Sequence, residues 1–251
     1  MHAGDVGDQR ILDECYGEGG WEAVMGWGGA RELSGGVGVI LIMKTMVLRG
    51  MIALLVLSAG ARADGLDFAG AEWIWALDAG ARKNSVESGQ AFFRADLEVP
   101  TGARIESAEV IVTADNLYAL FINGRGVGES AVNNSAWQTA GRYDVSQFLV
   151  AGHNVVAVRA VNTLPGPAGL LLKAEVRLAD GRVVRLASDE MWRSMGKEEK
   201  NWEQLAFEDG TWSPVRVVAP FGGGPWQTVT VPKQARPPGG VSGAVRKAVM
   251  A

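Results

Sequence analysis

Residues 108–124 read Ala108-Glu109-Val110-Ile111-Val112-Thr113-Ala114-Asp115-Asn116-Leu117-Tyr118-Ala119-Leu120-Phe121-Ile122-Asn123-Gly124, and the fold class follows from them. Ala108, Val110, Val112 and Ala114 share one face of an extended chain, because successive side chains of a strand point to opposite sides. Asp115 then interrupts as a turn former. Tyr118 to Ile122 resumes as a second strand rich in aromatic and branched residues. Asn123-Gly124 supplies the two positive φ angles that a two-residue type I′ hairpin requires. Two strands, a turn and a hairpin in so short a span predict antiparallel sheet with a face on a core.

The same pattern extends outward in both directions, with turn signals at intervals of roughly 10 residues, the rhythm of an all-β sandwich or barrel. Strands are predicted over Glu72–Ala76, Gln90–Val99, Ile105–Ala114, Tyr118–Ile122, Asn154–Asn162, Leu170–Leu178 and Val183–Ala187. In the segment from Asn154, the set Val156, Val158 and Ala160 opposes Val155, Ala157 and Arg159, which predicts burial on both faces near its start. Asp180-Gly181 predicts a second type I′ hairpin. Tyr143 to Leu149 lacks alternation, and Asp144 is placed to cap one helical turn before Gly152 stops it. After Trp226, the density of proline and glycine (Pro232, Pro237, Pro238, Gly239, Gly240) without a core pattern reads as a linker or tail over 227–251.

Upstream of the strands, Lys44 and Arg49 precede the apolar run Met51 to Leu57, and Ala61-Arg62-Ala63 follows. This is a signal-peptide layout over 43–63, with an apolar core too short to span a bilayer and small residues where a signal peptidase cleaves. Cleavage after Ala63 would leave Asp64 first, so a secreted or periplasmic location with no stable membrane insertion is expected. Residues 1–42 carry seven acidic and two basic residues, unlike a signal-peptide n-region. They are expected to be disordered or to lie upstream of a true start at Met43 or Met46. The whole chain of 251 residues is 47% apolar and 21% charged, with net charge -4. Such a chain builds a globular core, and its lack of basic excess argues against nucleic acid as a partner. Cys15, the only cysteine, allows no internal disulfide.

The order of several short pieces resembles the jelly-roll domain at the N-terminal side of bacterial α-L-rhamnosidases, part of the galactose-binding-like superfamily. The resemblance covers about residues 72–218. It rests on Trp73-Ile74-Trp75, on Ala91-Phe92-Phe93-Arg94 leading into Leu97-Glu98-Val99-Pro100, and on Ala114 to Gly124. It continues through Tyr143-Asp144-Val145, Gly152 to Val158, Asn162, Pro167-Ala168-Gly169-Leu170, Ser188 to Arg193 and Phe207 to Trp212, which is similar to the closing strand. The resemblance implies a jelly-roll β-sandwich over 64–226 and a non-catalytic module, since in such enzymes a separate helical barrel carries the chemistry. It is also compatible with a structural calcium that no sequence trace places. No other cofactor is expected.

The residues themselves offer little catalytic chemistry. His153 follows Gly152 at a strand entrance and reads as a solvated turn histidine, while a Ser-His-Asp triad would need that same residue. Asp115, Glu129, Asp144 and Asp189 could supply the facing carboxylates of a glycoside hydrolase, but Asp115, Asp144 and Asp189 each stand where a turn or cap wants an aspartate. Sugar binding is the better reading. The loop 129–142 brings Asn133, Asn134, Trp137 and Gln138, and Asn116 and Asn162 end strands that could reach the same rim. Amides would serve hydroxyls and Trp137 a ring face. Trp137 is equally a candidate plug for the sandwich edge, and Trp73, Trp75, Trp192 and Trp212 are expected in the core or its lid. The alternative to a glycan-binding module is a protein-interaction or packing module with no small ligand.

Overall fold

All seven predicted strands form in the computed structural model, which describes residues 65–77 and 85–248. Among the described residues the strands in chain order are β1 (Glu72–Ala76), β2 (Gly89–Val99), β3 (Ile105–Asp115), β4 (Leu117–Ile122), β5 (Arg125–Glu129), β6 (Gly141–Asp144), β7 (Gly152–Asn162), β8 (Gly169–Leu178), β9 (Val183–Ala187), β10 (Arg193–Met195) and β11 (Ser213–Pro220), with a short α-helix, α1 (Ala244–Ala248). One layer runs β6-β3-β8-β1-β11 with β9 beside β8, and the other β5-β4-β7-β2-β10-β11. β11 serves both layers, pairing through Ser213 and Pro214 with β10 and through Val215 to Pro220 with β1. This is an all-β jelly-roll sandwich. The signal-peptide segment 43–63 and residues 1–42 lie outside the described residues.

Period-2 alternation decides which side chains fill the space between the layers. Ala108, Val110, Val112 and Ala114 of β3 join Val156, Val158 and Ala160 of β7 in the central core, with Phe93, Leu120 and Leu172. The opposite faces are covered as well. Ile111 belongs to a cluster with Phe68, Trp73, Leu171 and Trp226, while Val155 and Ala157 pack with Phe92, Trp202 and Trp212. β7 is therefore buried on both faces, as its sequence predicts. Trp73, Trp75, Trp192 and Trp212 all lie in the interior, where each aromatic side chain buries roughly 150–250 Å².

The hairpin between β4 and β5 has positive φ at both Asn123 and Gly124, as a type I′ turn demands. The one between β8 and β9 differs from expectation. Gly181 alone has positive φ, and its N–H donates to the carbonyl of Leu178 at 2.9 Å. Asp180 instead accepts from the Arg182 N–H at 3.0 Å, giving a longer loop in which glycine takes the left-handed position. Asp144 holds the predicted helical turn, here the 3-10 turn Ser146–Phe148, by accepting from the Ser146 N–H at 3.0 Å and its hydroxyl at 2.7 Å.

The segment 227–248, within the stretch read as a linker or tail, is laid along the margin where the edge strands β5 and β6 meet. Thr230 and Arg236 form parallel bridges to Thr139 and Tyr143, and the Arg236 N–H donates to the carbonyl of Arg142 at 3.0 Å. Further on, the Gly240 N–H donates to the carbonyl of Val127 at 3.2 Å, and Val245 of α1 is fully buried against Leu117, Ala119 and Val161. Both exposed edges thus gain main-chain partners, the usual remedy for unpaired strand edges. Proline and glycine hide this role in the sequence, because the segment borrows its partners from strands far along the chain.

Candidate functional site

At this laced margin lies a cleft of about 620 Å³ whose lining includes Tyr118, Asn133, Gln138, Arg142, Gln234 and Arg236. Four elements meet there: β4 supplies Tyr118, the loop from β5 to β6 supplies Asn133 and Gln138, β6 supplies Arg142, and the tail supplies Gln234 and Arg236. Beneath Arg236 lies a tyrosine pair. The Tyr118 and Tyr143 hydroxyls stand 2.9 Å apart, and the Arg236 guanidinium donates to the Tyr143 hydroxyl while lying 4.5 Å over its ring. Glycine makes this approach geometrically feasible. A Cβ on Gly141 would overlap the Tyr118 hydroxyl, and one on Gly128 would overlap the Tyr143 ring. Burial and then the neighbouring Tyr143 hold the Tyr118 hydroxyl well above the ordinary tyrosine value, so it keeps its proton.

The polar groups of the cleft are unevenly committed. Arg142 donates to Glu109 at 2.9 Å and to the carbonyls of Pro232 and Lys233 at 3.1 Å each, which clamps the tail. Gln138 contributes its main-chain carbonyl to the Thr230 N–H at 2.9 Å, leaving its exposed side chain at the cleft. Asn133 closes its own turn by accepting from the Ser135 N–H at 3.1 Å.

Of the six residues expected to bind ligand, Asn133 and Gln138 line this cleft. Asn116 and Asn134 do come together, but with Thr163. Asn116 donates to the Asn134 carbonyl at 3.2 Å and accepts from the Thr163 N–H at 2.8 Å, and the Thr163 hydroxyl lies 2.9 Å from Asn134 Oδ1. Asn162 is a buried strut, donating to the carbonyls of Val86 and Glu87 at 3.1 and 3.2 Å. A ligand role for it is corrected by that burial, since both amide N–H groups are spent. Trp137 is half-buried against the cluster of Phe68, Trp73 and Trp226 and its carbonyl accepts from Thr113 at 2.8 Å, the plug rather than the exposed platform. Tyr118, Arg142, Gln234 and Arg236 escaped the sequence reading. No local signal marks them, because their convergence is made by the tail.

The carboxylates weighed for hydrolysis are occupied elsewhere. Asp115 accepts from Trp226 Nε1 at 2.8 Å and from Asn116 at 2.7 Å, and burial raises its carboxyl above the ordinary range despite the Trp226 bond. Glu129 accepts from the Ser242 hydroxyl and, at 3.1 Å, from its N–H, while Asp189 accepts from the Met191 N–H at 2.9 Å. His153 sits half exposed, 2.7 Å from Glu98 across the β2–β7 pair. Arg94 and Arg159 pair with Asp209 and Glu198. Among the described residues no three His, Cys, Asp or Glu side chains are placed together to hold a metal ion.

No family model matches the chain. An α-L-rhamnosidase of Streptomyces avermitilis is 31% identical over 163 residues, which cover 64% of this chain and 15% of that relative. The crystal structure of that enzyme in complex with L-rhamnose superposes with a TM-score of 0.60. A GH78 family rhamnosidase of Bacillus sp. GL1 is 27% identical, covering 64% of this chain and 20% of that one, with a TM-score of 0.52. The lectin of Pleurotus ostreatus in its apo form shares the fold at 24% identity and a TM-score of 0.60, over 67% of this chain and 47% of the lectin. The chain spans about 15% of the length of the curated relative it matches. Over the matched part it is a homologue of one region of α-L-rhamnosidases, carried on a β-sandwich.

Proposed function

We propose that this chain is an exported, non-catalytic carbohydrate-binding module whose ligand site is the cleft between the 130–140 loop and the tail. The observation that carries the reading is the lining of that cleft, where an exposed carboxamide, Gln138, stands with Gln234, Arg236 and serine hydroxyls around about 620 Å³. Neutral amides and hydroxyls at such spacing suit sugar hydroxyls, which both donate and accept. Support also comes from the similarity to a region of α-L-rhamnosidases and from a lectin of the same fold, while fold alone would not assign a ligand. The non-catalytic part rests on Asp115, Glu129, Asp144 and Asp189 each being tied to a neighbouring donor of the fold. Export rests on the signal-peptide layout of 43–63.

The test is a glycan-array screen followed by calorimetry on the full chain, with Gln138→Ala as the binding variant. Binding of a glycan weakened by roughly tenfold in the variant, the loss of about one or two hydrogen bonds, is the expected result. Retention of full affinity in Gln138→Ala would move the site elsewhere, and no binding to any glycan would overturn the reading. Amino-terminal sequencing of the secreted protein should begin at Asp64.

A further inference from the structure

We infer that the cleft selects an acidic saccharide, a uronic-acid-bearing glycan, whose carboxylate is received by Arg236; this rests on the sugar-binding reading above. The charge pattern of the lining carries the inference. Two guanidiniums, Arg142 and Arg236, face the cleft and no carboxylate lines it. They differ in what they have left to give. Arg142 is neutralised by Glu109 and its remaining donors hold tail carbonyls. Arg236 is exposed, has no ion-pair partner among the described residues, and makes one side-chain hydrogen bond, to the Tyr143 hydroxyl. Of the five N–H donors of a guanidinium, most of Arg236's remain free.

Its position is nonetheless fixed. The main chain of Arg236 donates to Arg142 at 3.0 Å and accepts from the Asp144 N–H at 3.2 Å, and the ring of Tyr143 lies 4.5 Å beneath the guanidinium. A cation held on an aromatic face loses little freedom on binding. A planar two-oxygen acceptor matches its fork, and the charge adds strength that a neutral hydroxyl would not. Around it, Gln138, Gln234, Asn133 and Ser130 supply uncharged groups for the ring hydroxyls. A carboxylate on a sugar fits this combination better than a free anion, which would use the guanidinium and leave the amides idle.

The experiment compares trigalacturonate with the neutral α-1,4-linked galactotriose by calorimetry on the full chain, for the native protein, Arg236→Gln and Gln138→Ala. The acidic sugar is expected to bind tighter than the neutral one by roughly tenfold or more, as for one charge-assisted hydrogen bond. Arg236→Gln should abolish that ratio by weakening the acidic sugar far more than the neutral one, and Gln138→Ala should weaken both sugars. Because Arg236 also helps to hold the tail, a second readout uses the native protein alone. Raising ionic strength from about 0.01 M to about 1 M, which shortens the screening length from about 30 to 3 Å, should shrink the preference for the acidic sugar. Equal binding of the two sugars, or a preference unmoved by both salt and Arg236→Gln, overturns the charge selection and leaves the sugar reading standing. Binding of neither, with positive array hits elsewhere, overturns both the selection and this cleft as the site.

Discussion

The chain from Trp226 onward closes two corners of the sandwich with aromatic and polar groups, and the two corners spend those groups differently. At the first, Trp226 stacks on Trp73 with ring centroids 4.3 Å apart and donates its indole N–H to Asp115. Asp115 takes a second bond from Asn116, and the assembly is enclosed. At the second, the Tyr118–Tyr143 pair is just as buried, but Arg236 above it is exposed and retains free donors. Similar ingredients thus make a structural clamp in one place and a candidate site in the other. What distinguishes them is hydrogen-bonding capacity left over after the fold has taken its share.

The largest effect should come from removing the clamp. Trp226→Ala takes away a fully buried indole and leaves Asp115 Oδ2 without its donor, and is expected to cost about 3–5 kcal/mol in denaturant unfolding. A loss below about 1 kcal/mol would mean that the corner relaxes freely and the contrast with the second corner is false.

Next comes the open corner. Gly141→Ala drives a methyl group into the space of the Tyr118 hydroxyl, and the expected cost is about 1–3 kcal/mol from overpacking. Unlike Trp226→Ala measured under conditions where it remains folded, it should also impair glycan binding, because it displaces the floor on which Arg236 rests. Unchanged calorimetric affinity would separate the tyrosine pair from the site.

The smallest effect is a pH signature of the enclosed corner. Burial raises the folded-state carboxyl of Asp115 above its ordinary value of 3.8, so its contribution to stability is complete below the unfolded carboxylate range and is lost as pH rises through the raised folded value. The stability advantage of the native protein over Asp115→Asn should therefore be greatest in acid and decline towards neutrality. An advantage that grows with pH would show that the Trp226 and Asn116 hydrogen bonds, rather than burial, govern this carboxyl.

The same contrast explains which parts were readable from the residues. The clamp strands β3 and β8 alternate or run apolar, and the paired faces of β3 and β7 could be assigned from spacing of two. β11 also carries a usable pattern, Val215, Val217 and Ala219, but it is flanked by Pro214 and Pro220, which disguise it as a loop. The short strands β6 and β10, of four and three residues, have too few positions to show any period. At the site, Asn133 and Gln138 were found because amides in a loop are themselves a signal, whereas Asn162 carries the same amide and spends it on Val86 and Glu87.

The sequence by itself determined the all-β class, seven of the strands, the Asn123-Gly124 hairpin and the aromatic interior, because these depend on neighbours within a few residues. Only the tertiary structure decided that the proline-rich segment after Trp226 is part of the domain, and that it carries Arg236 to Tyr143 across 93 residues of chain. Such a contact is fixed by which edges remain unpaired once the sheets have formed, and that information exists nowhere in the local pattern.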